Sequence, residues 1–457
     1  MKKLIQTLKN IWSIDELKSK IIVTLGLIMV YRLGAHIVLP GVDPNLIEDA
    51  QKSGNANQGI LGLIDTFAGG AFSQASIFAL GIMPYISASI FMQLMTILVP
   101  SMQKIQKEGE SGRKKINQWT RYLTVLVTIF QGGAYVAYIN NPQGPYANAL
   151  IESYTPYFFF STIVLLTAGT LFVMWLGEKI QDKGLGNGTS IIIMVGILAR
   201  LPQSIMEEFG AKQARGGGGL LIFLIELAIL VAIIMGLIVL VQGVRKIAIN
   251  YAKQIVGNRQ VGGARQFLPM KVNSAGVMPI IFAQAIMFLP TLFNLNRSIA
   301  ESEAGRGIYN IFTDHSNFWY MVIYAVMVIG FTFLYTALIF NPKQIAEDLK
   351  RNNGFIPGVK PGQPTADYIG AIMDKITLPG AIFLALVGIL PGFAQRLGVT
   401  ANFSTFFGGT SLLIMVGVIL DTLQQIETHL LMRQYDGLMK GGRIQGRQTT
   451  MTTAAQG

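Results

Sequence analysis

The sequence predicts an all-α integral membrane protein, and three features of its composition support this class. Charged residues make up 13% of the 457 residues, about half of the roughly 25% typical of soluble domains. Hydrophobic residues make up 51%. Glycine accounts for 50 residues, and it is more frequent in transmembrane helices than in soluble ones. These features exclude a soluble protein of several domains.

The lengths of the apolar stretches predict ten transmembrane helices. A bilayer core about 30 Å thick requires roughly 20 mostly apolar residues per helix. The stretches that meet this requirement lie at about 20–39, 75–99, 119–139, 156–176, 188–207, 219–242, 273–294, 318–341, 376–394 and 405–429. An even number of spans places both chain termini on the same side of the membrane.

The distribution of lysine and arginine between these stretches predicts their orientation. The connections 101–118, 243–272 and 342–375 carry five, six and five basic residues, whereas 40–74 carries one and 140–155 none. Because basic residues stay on the cytoplasmic side, we predict that both termini are cytoplasmic. The net charge of +12 is then mainly a consequence of topology. The connections 243–272 and 342–375 are longer than topology requires, which is typical of functional or disordered loops.

Few residues could support catalysis, metal binding or ion coupling. The sequence has no cysteine and only three scattered histidines, which argues against a metal site built from these side chains. Within the predicted spans, Arg32, Glu226 and Asp421 lie far apart and form no pair of the kind that marks an ion pathway. The sequence has no phosphate-binding loop or nucleophile motif. We therefore expect neither an enzyme nor a bound cofactor.

The second apolar region is interrupted before its long span begins. Residues 60–67 have a helical apolar spacing but include Asp65, and Gly69 and Gly70 follow. Such a short segment cannot cross a bilayer, so it lies either on the outer surface or folded back along a cavity in the protein. The spacing alone favours the surface position.

The span that follows carries a proline and polar residues at membrane depth. Pro84 predicts a kink because it removes a helix hydrogen bond. Ser87 and Gln93 require polar partners or water inside the membrane. Ile82 and Ile86 are four residues apart, so they share a helix face, and on spacing alone this face would contact lipid.

A series of motifs runs through the chain in order. They are SIFALGIMPYISASIFMQL at 76–94, EGESGRKK at 108–115, WLGEKIQDKGLGNGTSI at 175–191, NYAK at 250–253, LPMKVN at 268–273, FNP at 340–342, FIPGVKPG at 355–362 and FGGTSLLI at 407–414. This series resembles the SecY family, the channel subunits of bacterial protein translocases. The chain departs from the family pattern at Lys360, where arginine is usual, at Gln181, where threonine or serine is usual, and at Asp65, a charge in the segment that corresponds to the family's plug.

The resemblance implies a fold and a function. The fold would be two five-helix halves, 1–207 and 208–435, related as an inverted repeat and hinged like a clamshell, an architecture common in transport proteins. A disordered tail would follow at 436–457. The chain would conduct unfolded polypeptides across the bacterial cytoplasmic membrane and release transmembrane segments into lipid through a lateral gate. Its implied partners are the SecE and SecG subunits, the SecA ATPase motor, the ribosome, signal peptides, nascent polypeptides and the lipid bilayer.

The resemblance also implies four sets of functional residues. The plug, a short half-helix at about 60–73 that would seal the outer funnel, includes Ile60, Leu61, Ile64, Asp65, Phe67, Gly69 and Gly70. The pore ring, an apolar constriction from which water withdraws, consists of Ile82, Ile86, Ile193, Ile281 and Ile414. The polar cluster of the lateral gate consists of Ser87, Gln131 and Asn273. The contacts for SecA or the ribosome, in the basic loops 243–272 and 342–375, are Arg245, Lys246, Arg259 and Lys360.

The residues alone, without the resemblance, leave two other functions open. A secondary transporter of a small solute would carry coupled ionisable groups near the membrane midplane, and the sparse charges disfavour it. A scaffold or insertase that never opens a pore would share the topology, but it would need neither an apolar ring nor a plug. Ion conductance after deletion of the predicted plug distinguishes these functions.

Overall fold

The structure, a computed structural model, describes most of the chain. The described residues are 12, 14–44, 46–47, 65, 67–140, 156–214, 218–251, 254–256, 259–261, 265–292 and 317–440. The helices are α1 (Asp15–Ala35), α2 (Met83–Leu98), α3 (Pro100–Lys107), α4 (Glu110–Ile139), α5 (Pro156–Lys183), α6 (Gly188–Ala214), α7 (Gly219–Gln242), α8 (Met278–Leu292), α9 (Phe318–Ile339), α10 (Pro342–Arg351), α11 (Gln363–Arg396), α12 (Ala401–Ser404) and α13 (Gly409–Lys440). The strands are β1 (Val244–Tyr251), β2 (Gln254–Val256), β3 (Arg259–Val261), β4 (Arg265–Lys271) and β5 (Gly354–Phe355).

Most of the long helices have the length and apolar character that a membrane span requires. Within the described residues seven helices do, namely α4, α5, α6, α7, α9, α11 and α13, and the number rises to eight if α2 and α3 form one broken span. The axes of α2 and α3 differ by 102°. These helices support the prediction of a multi-pass membrane protein.

Two of the predicted spans fall outside this set for identifiable reasons. Helix α1 has 21 residues, and Lys18, Lys20 and Arg32 fall within any stretch of it long enough to span a membrane. Helix α8 has only 15 residues, and the residues directly after it lie outside the described part of the chain. A helix overlaps each of the ten predicted stretches, but the layout of ten spans in two halves stays a prediction.

The predicted start of the second span at residue 75 is wrong. Residues 68–82 form successive turns, and α2 begins only at Met83. Ala75 and Gly81 have φ values of 46° and 53°, and a residue with positive φ interrupts a right-handed helix. The predicted kink at Pro84 is also wrong, because this proline lies in the first turn of α2, where a backbone N–H has no helical acceptor to lose.

Two of the predicted loops contain regular structure. In 243–272, strands β1 and β4 form an antiparallel ribbon that runs from the pair Val244 and Lys271 to the pair Asn250 and Arg265. Strand β5 from the second loop adds to the free edge of β1, and β2 pairs with β3. The all-α prediction therefore requires the addition of a small three-stranded sheet. We call its two long strands, β1 and β4, the ribbon.

The ribbon is closed at its base and has a core of its own. The N–H of Val272 donates to the carbonyl of Gly243 over 2.9 Å, so the residue after α7 and the residue after β4 are held together. Ile247 and Ile249, two residues apart on one strand face, are both buried. The side chains that complete this small core are Met270, Leu349, Ile356, Ile369 and Met373.

The main apolar core extends through the helix bundle, and α6 lies at its centre. The buried residues of this core include Tyr31, Leu166, Ile192, Val328 and Phe403. Helix α6 packs against α5 on one side and against α7, α12 and α13 on the other. It therefore connects the two groups of helices that the resemblance assigns to separate halves. It continues past residue 207 to Ala214.

The last helix, α13, continues to Lys440, and thus includes the first residues of the predicted tail. The rest of that tail lies outside the described residues.

Candidate functional site

The central feature of the candidate site is a chain segment folded between helices. This segment, residue 65 and residues 67–82 as described, is called the inserted segment below. Of its apolar members, Phe67, Ala68, Phe72 and Ala79 are buried. A short antiparallel contact fixes its exit, because Leu39 N–H donates to the Ala75 carbonyl over 2.8 Å and Ile77 N–H donates to the Ile37 carbonyl over 2.9 Å. The surface position that the spacing favoured is therefore wrong for the described residues.

Side chains from two helices bind the backbone of the inserted segment. From α1, the Tyr31 hydroxyl donates to the Ala68 carbonyl over 3.3 Å, and Arg32 Nη1 donates to the Gly69 carbonyl over 3.0 Å. From α4, the Tyr135 hydroxyl donates to the Phe72 carbonyl over 2.6 Å. The Ala68 and Phe72 carbonyls also accept from the N–H groups of Ala71 and Ala75 within the segment, so the two tyrosine hydroxyls use the second lone pair of each carbonyl oxygen.

Asp65 is fully buried at the start of the inserted segment, and its charge is neutralised. Its carboxylate forms an ion pair with Arg200 of α6. Its Oδ1 accepts from the backbone N–H of Ser73 over 2.8 Å, and Arg200 Nη2 donates to the Ser73 hydroxyl over 2.8 Å. Asp65, the departure from the family pattern, therefore has a dedicated partner. Arg200 was not among the predicted site residues, although a charge inside the predicted span 188–207 is a signal of a functional contact.

The inserted segment approaches α6 so closely that two glycines meet. A Cβ on Gly69 would lie 2.7 Å from the Cα of Gly196, and a Cβ on Gly196 would lie 2.8 Å from the Phe67 carbonyl oxygen. Gly69 and Gly70 have φ values of 66° and 92°, in the left-handed region that glycine adopts without strain. The predicted glycine joint is therefore a tight turn pressed against α6. Of the other predicted plug residues, Ile60, Leu61 and Ile64 lie outside the described residues.

Four of the five predicted ring isoleucines belong to one apolar region. Ile82, Ile193 and Ile414 are buried in the main core, and Ile86 packs against it half-buried. Ile82 and Ile86 lie one turn apart, because the Ile86 N–H donates to the Ile82 carbonyl over 3.1 Å. Ile281 is half-buried on α8 and is not among the described residues that pack against this core.

The predicted polar cluster of the lateral gate is not joined by hydrogen bonds in the described part of the chain. The Ser87 hydroxyl donates within its own helix to the Met83 carbonyl over 3.1 Å. Asn273 Oδ1 is buried without a hydrogen-bond partner among the described residues. Instead, the Tyr335 hydroxyl of α9 donates to Gln93 Oε1 of α2 over 3.3 Å. We call the boundary between α2 and α9, marked by this bond, the seam.

The predicted docking residues lie on or beside the ribbon. Arg245 and Lys246 are exposed on β1, opposite Met270 and Pro269 of β4. Lys360 is exposed in the turn before α11. The backbone of Arg259 lies in β3. No carboxylate contacts Arg245, Lys246 or Lys360 within the ion-pair distance among the described residues, so their charges face outward.

A group of buried charges joins α6 to the other side of the bundle. Lys212 Nζ lies 2.7 Å from Glu226 Oε1 of α7 and 3.2 Å from Glu208 Oε1 of α6. Glu208 Oε2 accepts from the Thr400 N–H over 2.8 Å, and Lys212 also donates to the Gly398 carbonyl over 3.1 Å. Lys212 is 2% exposed and Glu208 is 0% exposed. We call Glu208, Lys212, Glu226, Gly398 and Thr400 the charged corner.

The charged corner changes the interpretation of the sparse charges inside the spans. Glu226, which looked isolated in the sequence, has a cationic partner, and Arg32 binds the inserted segment. Asp421 is exposed on α13. The described residues contain no group of acidic and histidine side chains that could hold a metal ion.

Comparisons with known proteins complete the description. The SecY family model matches residues 76–423. The protein translocase subunit SecY of Streptomyces coelicolor is 41% identical over 433 residues, which cover 93% of this chain and 97% of that protein. A solved SecY channel, studied for the plug domain that stabilises its closed state, has a TM-score of 0.59 at 16% identity and covers 94% of this chain and 95% of that chain. The idle yeast Ssh1 complex bound to the 80S ribosome has a TM-score of 0.58 at 16% identity, with coverage of 96% and 94%.

Proposed function

Because the chain belongs to the SecY family of protein translocase subunits, we propose that it is the central pore-forming subunit of a bacterial secretory translocase. Members of this family are channel subunits and not enzymes. The chain would conduct unfolded polypeptides across the cytoplasmic membrane and release transmembrane segments sideways into lipid. Energy for transport would come from its partners.

The observation that carries this proposal is the inserted segment. A non-helical segment at membrane depth is tolerated only where it lies on protein or lines an aqueous cavity. Here α1, α4 and α6 bind its backbone and its one charge. Such a segment is suited to act as a plug, because it is held by a few polar contacts and has no long helix to unfold. The plug would comprise residues 60–73.

The seal would be completed by the ring of isoleucines beneath the plug. β-Branched side chains are stiff at χ1 and carry no polar atom that could bind a passing chain. Water withdraws from a narrow apolar constriction. Shared burial of Ile82, Ile193 and Ile414 in one core supports their convergence. Ile86 and Ile281 would complete the ring as partly buried members.

The lateral gate would lie at the seam. We assign its closing contact to Tyr335 and Gln93, in addition to the predicted residues Ser87, Gln131 and Asn273. A side-chain hydrogen bond between membrane helices contributes about 0.6 kcal/mol on average. A bond of this strength closes a resting gate, and an apolar signal helix can displace it.

The ribbon and the turn before α11 would form the cytoplasmic docking surface for SecA or the ribosome. Arg245, Lys246 and Lys360 present outward charge, and Arg259 lies in the β2–β3 hairpin that extends the same loop. The ribosome-bound state of the similar yeast complex supports the ribosome as one partner. Lys360 supplies a point charge without the bidentate geometry of arginine, so its contact would tolerate more than one partner geometry. SecE and SecG would complete the membrane complex.

Planar-bilayer conductance of the purified translocase complex tests the proposed channel. Deletion of residues 60–73 is expected to raise the resting ion conductance strongly, because only the isoleucine ring then separates the two solutions. A deletion of equal length in the tail, residues 441–454, serves as the control and should leave the conductance unchanged.

Two outcomes would contradict the proposal. If the plug deletion leaves the membrane sealed, the chain is a scaffold or insertase without a pore. If the intact chain instead gives saturable flux of a small solute that depends on an ion gradient, it is a secondary transporter.

A further inference from the structure

Arg200 occupies a particular position relative to the inserted segment. It lies on α6, and its side chain is only 17% exposed. Its guanidinium contacts two residues of the segment, the carboxylate of Asp65 and the hydroxyl of Ser73. It therefore touches both ends of the turn that these two residues enclose.

The turn itself is closed by Asp65. The carboxylate accepts from the Ser73 N–H over 2.8 Å, and the Asp65 carbonyl accepts from the Gly70 N–H over 3.0 Å. The Ser73 hydroxyl also donates to the Gly70 carbonyl over 3.2 Å. Asp65 and the described residues Phe67–Ser73 are thus closed into one turn by their own hydrogen bonds. A single external group bound to Asp65 and Ser73 orients the whole turn.

The other contacts of the inserted segment are of a different kind. Tyr31, Arg32 and Tyr135 bind backbone carbonyls, and carbonyls are present whatever the side chains are. Arg200 instead recognises a side-chain charge that only Asp65 supplies. Among the described residues this is the ion pair that joins the inserted segment to a helix. It is buried, so solvent ions screen it little.

We propose that Arg200 is the positioning residue of the plug and that Asp65 is its specific counter-charge. This inference rests on the proposed function, since it assumes that the inserted segment is the plug. Displacement of the plug must separate Asp65 from Arg200. The Arg200 guanidinium then remains on α6 in a poorly solvated site without its counter-charge. The pair therefore stabilises the closed state more than an exposed ion pair would. It sets how readily a translocating chain displaces the plug.

The absence of cysteine allows plug position to be measured by labelling. Ala71 is 0% exposed in the inserted segment, so Ala71→Cys reports displacement when a membrane-impermeant maleimide is added to the translocase complex in lipid nanodiscs. Into this background we would introduce Asp65→Asn, Arg200→Met and both together. Each single change is expected to increase the labelling rate at least about tenfold. A tenfold change corresponds to about 1.4 kcal/mol, and removal of one member of a buried ion pair costs more than this.

The double variant separates positioning from a general effect on folding. If Arg200 acts through Asp65, the two changes are not independent, and the double variant should label no faster than the faster single variant. Arg200 contacts both Asp65 and Ser73 through Nη2. Arg200→Lys retains the charge but places a compact ammonium on a different side-chain stem, so it should label at an intermediate rate. Resting conductance of the same variants should follow the same order at low and high salt.

Arg121→Met is the matched control. Arg121 of α4 pairs with Glu178 of α5 over 2.8 Å, and its side chain is 51% exposed. This variant should label like the parent. Leu397→Cys, at a position that is 80% exposed, verifies that every variant reacts with the reagent.

The outcomes distinguish this inference from the function on which it rests. Unchanged labelling in both single variants, or labelling factors that multiply in the double variant, would overturn the role of Arg200 even if the 60–73 deletion opens the membrane. A sealed membrane after that deletion would instead refute the plug itself.

Discussion

The charged corner and the seam both join helices that are distant in the sequence, but they are held in different ways. The corner joins the end of α6, where this helix continues from the first predicted half into the second, to α7 and the turn before α12, and the seam joins α2 of the first half to α9 of the second. At the corner, Lys212 bridges two carboxylates, and Glu208 binds the backbone of Thr400. At the seam, the described contact is a neutral hydrogen bond of 3.3 Å between Tyr335 and Gln93. If the halves move relative to each other, this difference identifies the seam as the side that separates and the corner as the side that stays closed.

The magnitudes favour the same assignment. Hydrogen bonds to charged groups contribute about 1.5–3 kcal/mol each, and the corner contains several that involve its three charged groups, Glu208, Lys212 and Glu226. A neutral side-chain bond between membrane helices averages about 0.6 kcal/mol. A second contact on the corner side, from the Gly186 N–H to Gln425 Oε1 over 2.9 Å, holds the other end of α6 to α13. Helix α6 is therefore held at both ends.

The strongest test of this comparison removes the cation of the corner. Lys212→Met leaves Glu208 and Glu226 buried without a positive partner, which should destabilise the folded protein by about 3–5 kcal/mol. The thermal unfolding temperature of the purified complex measures this loss. As a control, Lys114→Met breaks an exposed pair with Glu110 and should cost no more than about 0.5 kcal/mol. Equal stability of the two variants would show that the corner does not hold the halves.

A smaller effect is expected when the charge of Glu208 is removed. Glu208→Gln weakens the bond from the Thr400 N–H, at a cost of about 1–2 kcal/mol. Hydrogen–deuterium exchange of the Thr400 amide should then become about tenfold faster. Glu207→Gln is the matched control, since Glu207 binds the exposed side chain of Asn402 over 2.7 Å. Exchange that responds equally to both changes would mean that Glu208 has no special role in the corner.

The smallest change in stability is expected at the seam. Tyr335→Phe removes only the hydroxyl that binds Gln93, at a cost below about 1 kcal/mol. Thermal stability should hardly change, whereas crosslinking of a signal peptide to helix α2 should increase because the seam opens more readily. Tyr122→Phe, which removes an exposed hydroxyl bound by Gln118, should leave crosslinking unchanged. A fall in crosslinking after Tyr335→Phe would reverse the assignment of the seam.

Hydropathy located the helices well, because the bilayer imposes length and apolar character locally along the chain. It failed where a local signal has two meanings. A proline such as Pro84 can bend a helix or lie in its first turn, and the sequence pattern does not distinguish the two. The positive φ values at Ala75 and Gly81 show that no continuous helix precedes it, so Pro84 lies in a first turn. The basic residues of β1 suggested a loop, although the alternation of Ile247 and Ile249 is also typical of a strand.

The candidate site was harder to predict because its contacts join distant parts of the sequence. No periodicity relates Arg200 to Asp65, and Lys212 lies beyond the predicted end of its span, where charges normally mark the membrane boundary. The motif resemblance drew attention to the segment that includes the inserted residues and predicted a ring of isoleucines. It did not identify Gln93 and Tyr335 as a bonded pair. The ring stays a prediction, because an isoleucine of an ordinary hydrophobic core is buried in the same way.

The closed base of the ribbon has a mechanical consequence for α8. The bond from Val272 N–H to the Gly243 carbonyl keeps the residue directly after β4 beside the end of α7, before α8 begins at Met278. Gly380 of α11 lies against the same place, since a Cβ there would be 2.8 Å from the Val272 oxygen. The ribbon is therefore anchored to α7 and α11 at its base. A force on the ribbon would reach α8 only through the residues between Val272 and Met278, and α7 and α11 would carry part of it into the bundle.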